Sequence, residues 1–297
     1  MLAQSSLARA KINLYLHVAA PDARSYHPLQ SLVVFADIGD DIEFLPEQSK
    51  SSADMLKPCL NIEGPFSLGL EVDESNLVLK AVRRFESVVG VKVDQHDIRL
   101  TKNLPVASGI GGGSADAGAT LRLLRQLYAP EMTDVDLAAI AGAIGADGIM
   151  CLWSQSACAE GYGERLTPIA LPSVPAVLVN PGVECSTARV YGGYDTQSRF
   201  NDIDAVSGFS GVRTIRQLIS ALSHTRNDLQ SPAIHLQPVI AEVLTALEAQ
   251  TETLFARMSG SGATCFALCE TDEAANALGA RMQALMPGTW VRACRLG

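Results

Sequence analysis

Residues 8–18 alternate between apolar and polar side chains. One face carries Ala10, Ile12, Leu14, Leu16 and Val18, and the other carries Lys11, Asn13, Tyr15 and His17. A period of two residues is typical of a β-strand with one buried face, so the segment is predicted to be a half-buried strand. A second apolar run, SLVVFADIGDDIEFL at residues 31–45, is interrupted by Gly39 and Asp40. This run is predicted to form two strands.

Three later segments have apolar residues at helical spacing, at residues 76–89, 115–128 and 135–144. They are predicted to be amphipathic helices. The run IRLTKNLPV predicts a strand that stops at Pro105, and the short apolar runs 149–153 and 176–180 predict two more strands. Residues 195–211 are polar and favour an exposed connection. We place a domain boundary near residue 165, which gives domains of residues 1–165 and 166–297.

The final third is predicted to contain helices at residues 214–223, 238–249 and 272–285, and strands at residues 254–258, 263–269 and 290–295. An SGSG turn separates the first two of these strands. Because strand, turn, strand, helix and strand follow one another, this part favours a ferredoxin-like α+β sandwich.

Composition narrows the possible partners. The chain has 297 residues and a formal charge of −9, from 23 basic and 32 acidic side chains. A broad electrostatic contact with nucleic acid or anionic lipid is therefore not expected, and any anionic ligand must be held locally. No apolar run reaches the ~18 to 20 residues that a spanning helix needs, and the first residues lack the order of a signal peptide. We therefore expect a cytoplasmic protein with no membrane or nucleic-acid partner.

Cysteine and histidine spacing does not indicate a metal site. The seven cysteines include no CxxC pair, and the five histidines show no ligand spacing such as HExxH. Cys265 and Cys269 lie four residues apart in a predicted strand, about 13 Å from each other, which is too far for a disulfide. We expect reduced core thiols and no metal held by the protein alone.

The strongest local signal is the glycine-rich run LPVASGIGGGSADAG at residues 104–118, which leads into a predicted helix. Glycines allow positive φ angles and close approach of the backbone to a ligand, and a helix start offers free N–H groups and a positive dipole end. The run is predicted to hold phosphate. It is not a Walker loop, because no Gly-Lys-Ser/Thr follows, and it lacks the third glycine of the dinucleotide fingerprint. Read alone, it is also compatible with a surface turn in which Ser114 caps the helix.

Three separated segments resemble the motifs of one family in chain order. AKINLYLHV at residues 10–18, SGIGGGSADAG at 108–118 and MSGSGATCFAL at 258–268 are similar to the first, second and third motifs of the GHMP kinases, such as galactokinase, homoserine kinase and mevalonate kinase. The resemblance implies a two-domain α+β fold. The N-terminal, ATP-binding domain would be mixed α/β, like domain 2 of ribosomal protein S5, and the C-terminal domain would be ferredoxin-like, with the site in the cleft between them.

Within this family, the chain looks most like the members that act on a cytidine-diphosphate sugar alcohol. The resemblance implies ATP-dependent phosphorylation of the 2-hydroxyl of 4-diphosphocytidyl-2-C-methyl-D-erythritol, a step of non-mevalonate isoprenoid synthesis, with Mg²⁺ accompanying the ATP. The implied partners are these small molecules, and we expect a monomer or a weak homodimer. The alternatives are another small-molecule kinase of the family, of homoserine or mevalonate type, and a noncatalytic ligand-binding protein with this fold.

The resemblance also implies site residues. Asp147 matches the aspartate that accepts the proton of the attacking hydroxyl, and Lys11 matches the lysine that stabilises the transferring phosphoryl group. Read alone, Asp147 belongs to an ordinary turn, and Lys11 could lie on a solvated strand face. The implied nucleotide-binding residues are Pro105, Val106, Ala107, Ser108, Gly109, Ile110, Gly111, Gly112, Gly113, Ser114 and Ala115.

Further implied residues would contact the acceptor. Tyr26 and His27 match a pair that stacks on and hydrogen-bonds cytosine, and Asn13 would bond the erythritol hydroxyls. Tyr191 and Thr187 are candidates for the same pocket. The loop of Ser259, Gly260, Ser261 and Gly262 would support the phosphates; read alone, it is a tight hairpin-like link.

The chain departs from the family pattern at three places. Ser25 stands where the family usually has glycine before the Tyr-His pair, and Gly148-Ile149 stand where it has Val-Pro after the aspartate. Gly118 replaces an alanine in the helix that follows the glycine loop. A glycine inside a helix costs about 1 kcal/mol relative to alanine unless close packing requires it.

Overall fold

The structure is a computed structural model that describes residues 4–46, 60–93, 96–196, 200, 203 and 208–297. Within these residues the strands are β1 (Gln4–Val18), β2 (Leu29–Pro46), β3 (Leu60–Glu63), β4 (His96–Thr101), β5 (Ala157–Gly161), β6 (Arg165–Pro168), β7 (Val174–Asn180), β8 (Phe255–Met258), β9 (Cys265–Leu268) and β10 (Trp290–Leu296). The helices are α1 (Leu77–Val89), α2 (Gly112–Tyr128), α3 (Asp134–Gly142), α4 (Gly148–Trp153), α5 (Thr187–Asp195), α6 (Ile215–Leu222), α7 (Gln230–Leu236), α8 (Val239–Glu248) and α9 (Asp272–Leu285).

The chain forms two compact units, each built from separate stretches of sequence. The first unit takes the described parts of residues 1–10, 38–106 and 111–154, and the second takes those of 11–37, 107–110 and 155–297. Both β1 and β2 therefore contribute residues to each unit. The domain boundary predicted near residue 165 would divide the chain into two continuous halves, residues 1–165 and 166–297. It stays a prediction.

The first unit combines a mixed sheet with helices α1 to α4. Residues 41–46 of β2 pair antiparallel with β4, and β4 pairs parallel with β3. Helix α1 begins after Asn76, whose side chain accepts a hydrogen bond from the N–H of Val78, and ends at Gly90 in the left-handed conformation. Helix α2 packs on α1, α3 and α4. Helices α1, α3 and α4 therefore pack against α2, the helix that follows the glycine run.

The second unit contains an antiparallel sheet in the order β10-β7-β9-β8. Numbered along the chain, these strands follow the order 4-1-3-2, and α9 connects β9 to β10, as in a ferredoxin-like fold. Residues 29–33 of β2 pair with β5, and β5 pairs with β6. The predicted ferredoxin-like C-terminal part is confirmed.

Two strand predictions need correction. β2 is continuous through Gly39 and Asp40. Gly39 is needed for packing rather than for a break, because a Cβ there would lie 2.2 Å from Ala8 O. From residue 10 to residue 18, β1 is buried on both faces, since Lys11, Asn13, Tyr15 and His17 are all buried. Alternation indicated two chemically different faces, but it did not show that the polar face is covered as well.

The apolar run at residues 149–153 is helix α4, so the predicted strand is wrong. A run of five apolar residues fits a strand or one buried helical turn equally well, and here Gly148 lets the turn pack tightly. The short strands β3, β5 and β6 and the helices α5 and α7 had no strong periodic signal. Most of the predicted connection at residues 195–211 lies outside the described residues, although Phe209 within it is buried.

Other predictions hold. Helices α1, α2, α3, α6, α8 and α9 and strands β4, β7, β8, β9 and β10 occupy the predicted segments. Cys265 and Cys269 are buried and free, as are Cys151, Cys185 and Cys294, while the free Cys158 is partly buried. None of the helices in the described part of the chain is long and apolar enough to cross a membrane.

Candidate active site

Parts of all three motifs come together within the second unit. Lys11 Nζ donates a hydrogen bond to Asn13 Oδ1 (2.9 Å), and the N–H of Asn13 donates to Ser259 Oγ (3.1 Å). Ser259 Oγ donates in turn to Gly109 O (3.2 Å), while the N–H of Lys11 donates to Ile110 O (2.9 Å). The first strand, the glycine run and the SGSG loop are therefore joined by direct hydrogen bonds.

Close backbone contacts explain why glycines stand at this junction. Gly109 has a φ of +76°, and a Cβ there would lie 2.7 Å from both Ser259 O and Gly262 O. Gly260 has a φ of +56°, and its Cβ would lie 2.9 Å from Gly109 O. Only glycine allows two loops to approach this closely with positive φ angles.

The glycine run ends in the N-terminus of α2. The helix begins at Gly112, with Gly111 in the left-handed conformation at the cap position and no side-chain capping bond. Ser114 is therefore inside the first turn and is not the cap. Since the first N–H groups of a helix have no intrahelical acceptor, this end presents amides and a positive dipole end to an anion.

Asp147 lies in the first unit, at the residue before α4. It is partly buried, and its side chain makes no capping hydrogen bond to α4. The next residue, Gly148, lines a recess together with Ser114, Gly145 and residues of α2 and α3. The structure thus places the turn that carries Asp147 beside the first turn of α2.

The SGSG loop is supported by side chains from other elements. Asn227 Nδ2 donates to Met258 O and to Gly260 O, both at 2.8 Å. Thr187 Oγ1 and Ser261 Oγ are 2.8 Å apart, so Thr187 lies against this loop. The contacts of Asn227 give the NDL segment at residues 227–229 a direct role in shaping the loop.

Tyr26 is exposed and stands on a tight turn. Asp22 organises the turn, because its Oδ1 accepts hydrogen bonds from the N–H groups of Arg24 (2.8 Å) and Tyr26 (3.0 Å). The Tyr26 ring lies 6.1 Å from the Tyr162 ring in an edge-on arrangement. Ser25 has a φ of +63°, which explains why the family usually has glycine at this position. An accessible aromatic ring of this kind can stack on a planar base.

His27 has protein partners on both ring nitrogens. Its Nδ1 donates to Ala19 O (2.9 Å), and its Nε2 lies 3.1 Å from Asp195 Oδ1. Its ring is 5.0 Å from that of Tyr191, so these two predicted residues are in contact. Because both nitrogens have protein partners, His27 in this conformation presents its ring, beside that of Tyr191, and no free hydrogen-bonding edge.

Two of the departures from the family pattern are explained by packing. A Cβ on Gly118 would lie 2.6 Å from Cys151 O, so α2 and α4 can touch only if this residue is glycine. A Cβ on Gly148 would lie 2.0 Å from Ala141 O. Gly118 thus allows α2 to contact α4, which offsets its helix-propensity cost, and Gly148 allows α4 to contact α3.

Sequence reasoning missed several supporting residues. Ser31 accepts a hydrogen bond from Asn13 Nδ2 (2.7 Å) and donates to Tyr15 O (2.6 Å), which holds the Asn13 amide in place. Lys102, Asp40 and Asp116 form a buried charged cluster beside the start of α2. The only sequence signal for this cluster was charge at positions where a strand or a helix face should be apolar.

The chain matches both halves of a known kinase family. The description "GHMP kinases N terminal domain" matches residues 76–155, and "GHMP kinases C terminal" matches residues 206–288. A homoserine kinase from Cytophaga hutchinsonii shares the fold, with a TM-score of 0.70 at 21% identity, over 98% of this chain and 94% of that one. Fold and matches together define the class of protein as a GHMP kinase.

Relatives along the whole chain define the group within that class. A 4-diphosphocytidyl-2-C-methyl-D-erythritol kinase of Caulobacter sp. (strain K31) is 46% identical over 98% of both chains, and one of Parvibaculum lavamentivorans is 42% identical over 98% of this chain and 97% of its own. A crystal structure of 4-(cytidine 5'-diphospho)-2C-methyl-D-erythritol kinase superposes with a TM-score of 0.77 at 31% identity, over 99% of both chains. The chain belongs to the 4-diphosphocytidyl-2-C-methyl-D-erythritol kinase family of the GHMP kinases.

Proposed function

We propose that this protein transfers the γ-phosphoryl group of ATP to the 2-hydroxyl of 4-diphosphocytidyl-2-C-methyl-D-erythritol. The observation that carries the proposal is the junction of three motifs in the second unit, where Lys11, Asn13, Ser259 and Gly109 are linked by hydrogen bonds. A phosphoryl-transfer site needs a cation, a polar group that contacts the acceptor substrate, and backbone amides in fixed positions. This junction brings such groups together from distant parts of the sequence.

Lys11 and Asp147 are the residues that we propose for catalysis. Asp147 accepts the proton of the 2-hydroxyl as its oxygen attacks the γ-phosphorus. The Lys11 ammonium, oriented by Asn13, stabilises the charge that develops on the transferring group. The hydrogen bond from Ser259 Oγ to Gly109 O holds the backbone of the glycine run beside Lys11.

The triphosphate would bind to amides of the glycine run and of the first turn of α2. These N–H groups hold anions locally, which is how a chain with a net charge of −9 can bind a polyphosphate. Mg²⁺ takes oxygen ligands and usually combines one or two protein groups with water and substrate phosphates. Ser114 is the oxygen donor at this helix end, and we propose its hydroxyl as the protein contact of the Mg²⁺ that accompanies ATP.

The cytosine would be recognised by the aromatic side chains of the second unit. Tyr26 presents an exposed ring for stacking, and His27 with Tyr191 forms a second aromatic surface. Thr187 contributes a hydroxyl beside the SGSG loop. A site that bonds a base should reject simple alcohols strongly, because its polar groups would be left unpaired.

The first experiment compares phosphorylation of the cytidine substrate, homoserine and mevalonate at matched concentrations of Mg²⁺ and ATP. We expect turnover with the cytidine substrate and at least ~10³-fold lower kcat/KM with the other two acceptors. Preference for homoserine or mevalonate would support the other small-molecule kinases. Tight nucleotide binding without turnover on any acceptor would favour a noncatalytic binding protein.

The second experiment tests the residue roles. Asp147→Asn should lower kcat by ~10²- to 10⁴-fold with little change in nucleotide affinity, and Lys11→Met should lower kcat more than it raises KM. Asp134→Asn, another carboxylate at a helix start, and Lys80→Met, an exposed lysine, are the matched controls. Unchanged kcat in Asp147→Asn would remove this residue as the base.

The proposal also covers the cellular location and the oligomeric state. We propose a cytoplasmic location, which is supported by the free thiols of the six cysteines in the described residues and by the need for ATP. We also propose a monomer or weak homodimer, to be measured by sedimentation at several protein concentrations.

A further inference from the structure

The backbone carbonyls on either side of Ser259 are held by one side-chain amide. Asn227 Nδ2 donates a hydrogen bond to Met258 O and another to Gly260 O, both 2.8 Å long. An amide nitrogen carries two N–H groups, so these two bonds use its whole donor capacity. Asn227 Oδ1 accepts a hydrogen bond from the N–H of Leu229 (3.0 Å), which fixes the side of the amide that faces the SGSG loop.

The residue that holds the loop is itself anchored on β1. The N–H of Leu16 donates to Arg226 O and the N–H of Asp228 donates to Leu16 O, both at 2.9 Å, so this segment runs beside β1 as a short parallel bridge. Asn227 lies in the middle of the bridge and is buried. Its amide therefore reaches the loop from the strand that carries the candidate catalytic lysine.

Ser259 connects the loop to the other site residues. Its Oγ accepts a hydrogen bond from the N–H of Asn13 (3.1 Å) and donates one to Gly109 O (3.2 Å), and Asn13 Oδ1 accepts one from Lys11 Nζ (2.9 Å). Ser259 is fully buried, and both partners of its hydroxyl are backbone groups. In close-packed surroundings, a shift of Ser259 must break one of these bonds or move the strand with it.

The sequence of the SGSG loop does not by itself determine its conformation. Two of its four residues are glycines with positive φ angles, Gly260 at +56° and Gly262 at +82°. Glycine adopts many conformations, so the direction of the loop carbonyls must be set by their hydrogen-bond partners. A buried carbonyl that loses its donor is left unsatisfied, and the loop would rotate to recover a bond. The two bonds from Asn227 therefore select the conformation in which Ser259 reaches both of its partners.

We propose that Asn227 is a positioning residue for phosphoryl transfer, which acts through Ser259 to hold Asn13 and Lys11 in their reactive positions. The inference rests on the proposed function, because it takes Lys11 to act on the transferring group and Asn13 to contact the acceptor. Misplacement of a reacting group by about 1 Å can lower a rate by about 10²-fold. Loss of the Asn227 amide should therefore reduce the rate of transfer.

Nucleotide binding should depend much less on Asn227. The glycine run keeps two backbone hydrogen bonds on either side of Gly109, from the N–H of Thr264 to Ser108 O (3.1 Å) and from the N–H of Lys11 to Ile110 O (2.9 Å). These bonds do not involve the SGSG carbonyls that Asn227 holds. The amides of the run can therefore stay in place when the Asn227 bonds are lost.

The first test removes the donor in two ways. Asn227→Asp keeps the shape and the acceptor for Leu229 but turns a carboxylate toward two carbonyls, and Asn227→Ala removes the amide without adding charge. Each should lower kcat with 4-diphosphocytidyl-2-C-methyl-D-erythritol about 10²-fold, while KM for ATP and ADP affinity by calorimetry change by less than about threefold. Gln250→Glu is the matched control, because Gln250 Nε2 also donates to a backbone carbonyl, Ala246 O (2.9 Å), and it should leave kcat unchanged.

A double-mutant cycle tests whether Asn227 acts through Ser259. Ser259→Ala removes the hydroxyl that bonds Asn13 and Gly109, and it should also lower kcat about 10²-fold. Independent losses multiply, which would give about 10⁴-fold in the double variant, whereas a shared route limits the loss to about 10²-fold. A purely structural role of Asn227 would reduce the folded fraction, and that loss would multiply with the Ser259→Ala effect. Urea unfolding of every variant measures the folded fraction directly.

The outcomes separate the inference from the proposed function. Unchanged kcat in Asn227→Ala or in Ser259→Ala, or losses that multiply in the double variant, would overturn the inference and leave the proposed function standing. Failure of both Asn227 variants to fold would also overturn it, because the residue would then serve the fold rather than the transfer. A folded wild-type protein that does not phosphorylate the cytidine substrate would overturn the proposed function and, with it, the positioning role.

Discussion

The contact between the glycine run and the SGSG loop can be tested by adding a single methyl group. Gly109→Ala places a Cβ 2.7 Å from Ser259 O, 2.7 Å from Gly262 O and 2.8 Å from Gly262 N, all of them backbone atoms. The substitution also requires a non-glycine residue at a φ of +76°. Both effects act in the folded state of the second unit.

The magnitude follows from these two effects. A residue with a Cβ in the left-handed region costs about 1–2 kcal/mol, and overpacking against a rigid neighbour costs about 1–3 kcal/mol. Loss of glycine's freedom in the unfolded chain returns about 0.4–1 kcal/mol. We therefore expect Gly109→Ala to lower the free energy of unfolding by about 3 kcal/mol.

Gly90 provides a matched control. It also has a φ of +76°, but no atom lies within 4 Å of the Cβ that alanine would add. Gly90→Ala therefore isolates the backbone cost, for which we expect about 1 kcal/mol. The difference between the two variants measures the contact between the loops.

Urea unfolding followed by circular dichroism gives both stabilities, and steady-state kinetics gives KM for ATP. Only Gly109→Ala should raise this KM, because only this substitution displaces the phosphate-binding loop. Equal losses of stability in the two variants, or an unchanged KM in Gly109→Ala, would refute the reasoning.

Three further predictions concern other parts of the chain. Ser25→Gly should raise the free energy of unfolding in urea by about 1 kcal/mol, because it relieves a φ of +63°; a loss of stability would show that the serine side chain stabilises the turn. Arg257→Met should lower the free energy of unfolding by about 3 kcal/mol, because the partly buried guanidinium donates to Leu14 O, Thr225 O and Leu222 O, whereas substitution of the exposed Arg216 by Met should change it little; similar effects of the two substitutions would contradict this explanation. Burial raises the pKa of Asp116 to about 8 from 3.8, so between these values the folded protein holds a proton that the unfolded chain has lost, and stability falls as pH rises. Its contribution to the slope should approach about 1.4 kcal/mol per pH unit and vanish in Asp116→Asn, as measured by urea midpoints across this range; identical slopes in both proteins would exclude this titration.

Much of the fold was predictable because its helices have a strong apolar period. Helix α1 has Val78, Ala81, Val82 and Phe85 on one buried face, and its start and end carry the expected capping residues, Asn76 and Gly90. Such local signals survive in the folded protein because packing and propensity agree. The short helix α4 was mistaken for a strand because five apolar residues do not define a period.

The site was predictable only in part. Glycines and a helix start predicted the loop, and the resemblance supplied Lys11 and Asp147, but spacing alone does not report which partners burial brings together. The polar face of β1 could have been solvated, and the sequence contained no indication that Ser259 and Ser31 would bond Asn13. The role of Asn227 was equally hidden, because its partners are backbone carbonyls 31 and 33 residues away.

The division of the sequence between the two units limits how this enzyme can be taken apart. The chain passes from one unit to the other after residues 10, 37, 106, 110 and 154, so neither unit is encoded by one continuous stretch. A gene cut near codon 155 or 165 would leave residues 11–37 and 107–110 on the wrong fragment, without the rest of the unit to which they belong. Exchange of halves with a related kinase is therefore expected to succeed only when those two short stretches are exchanged along with the C-terminal half.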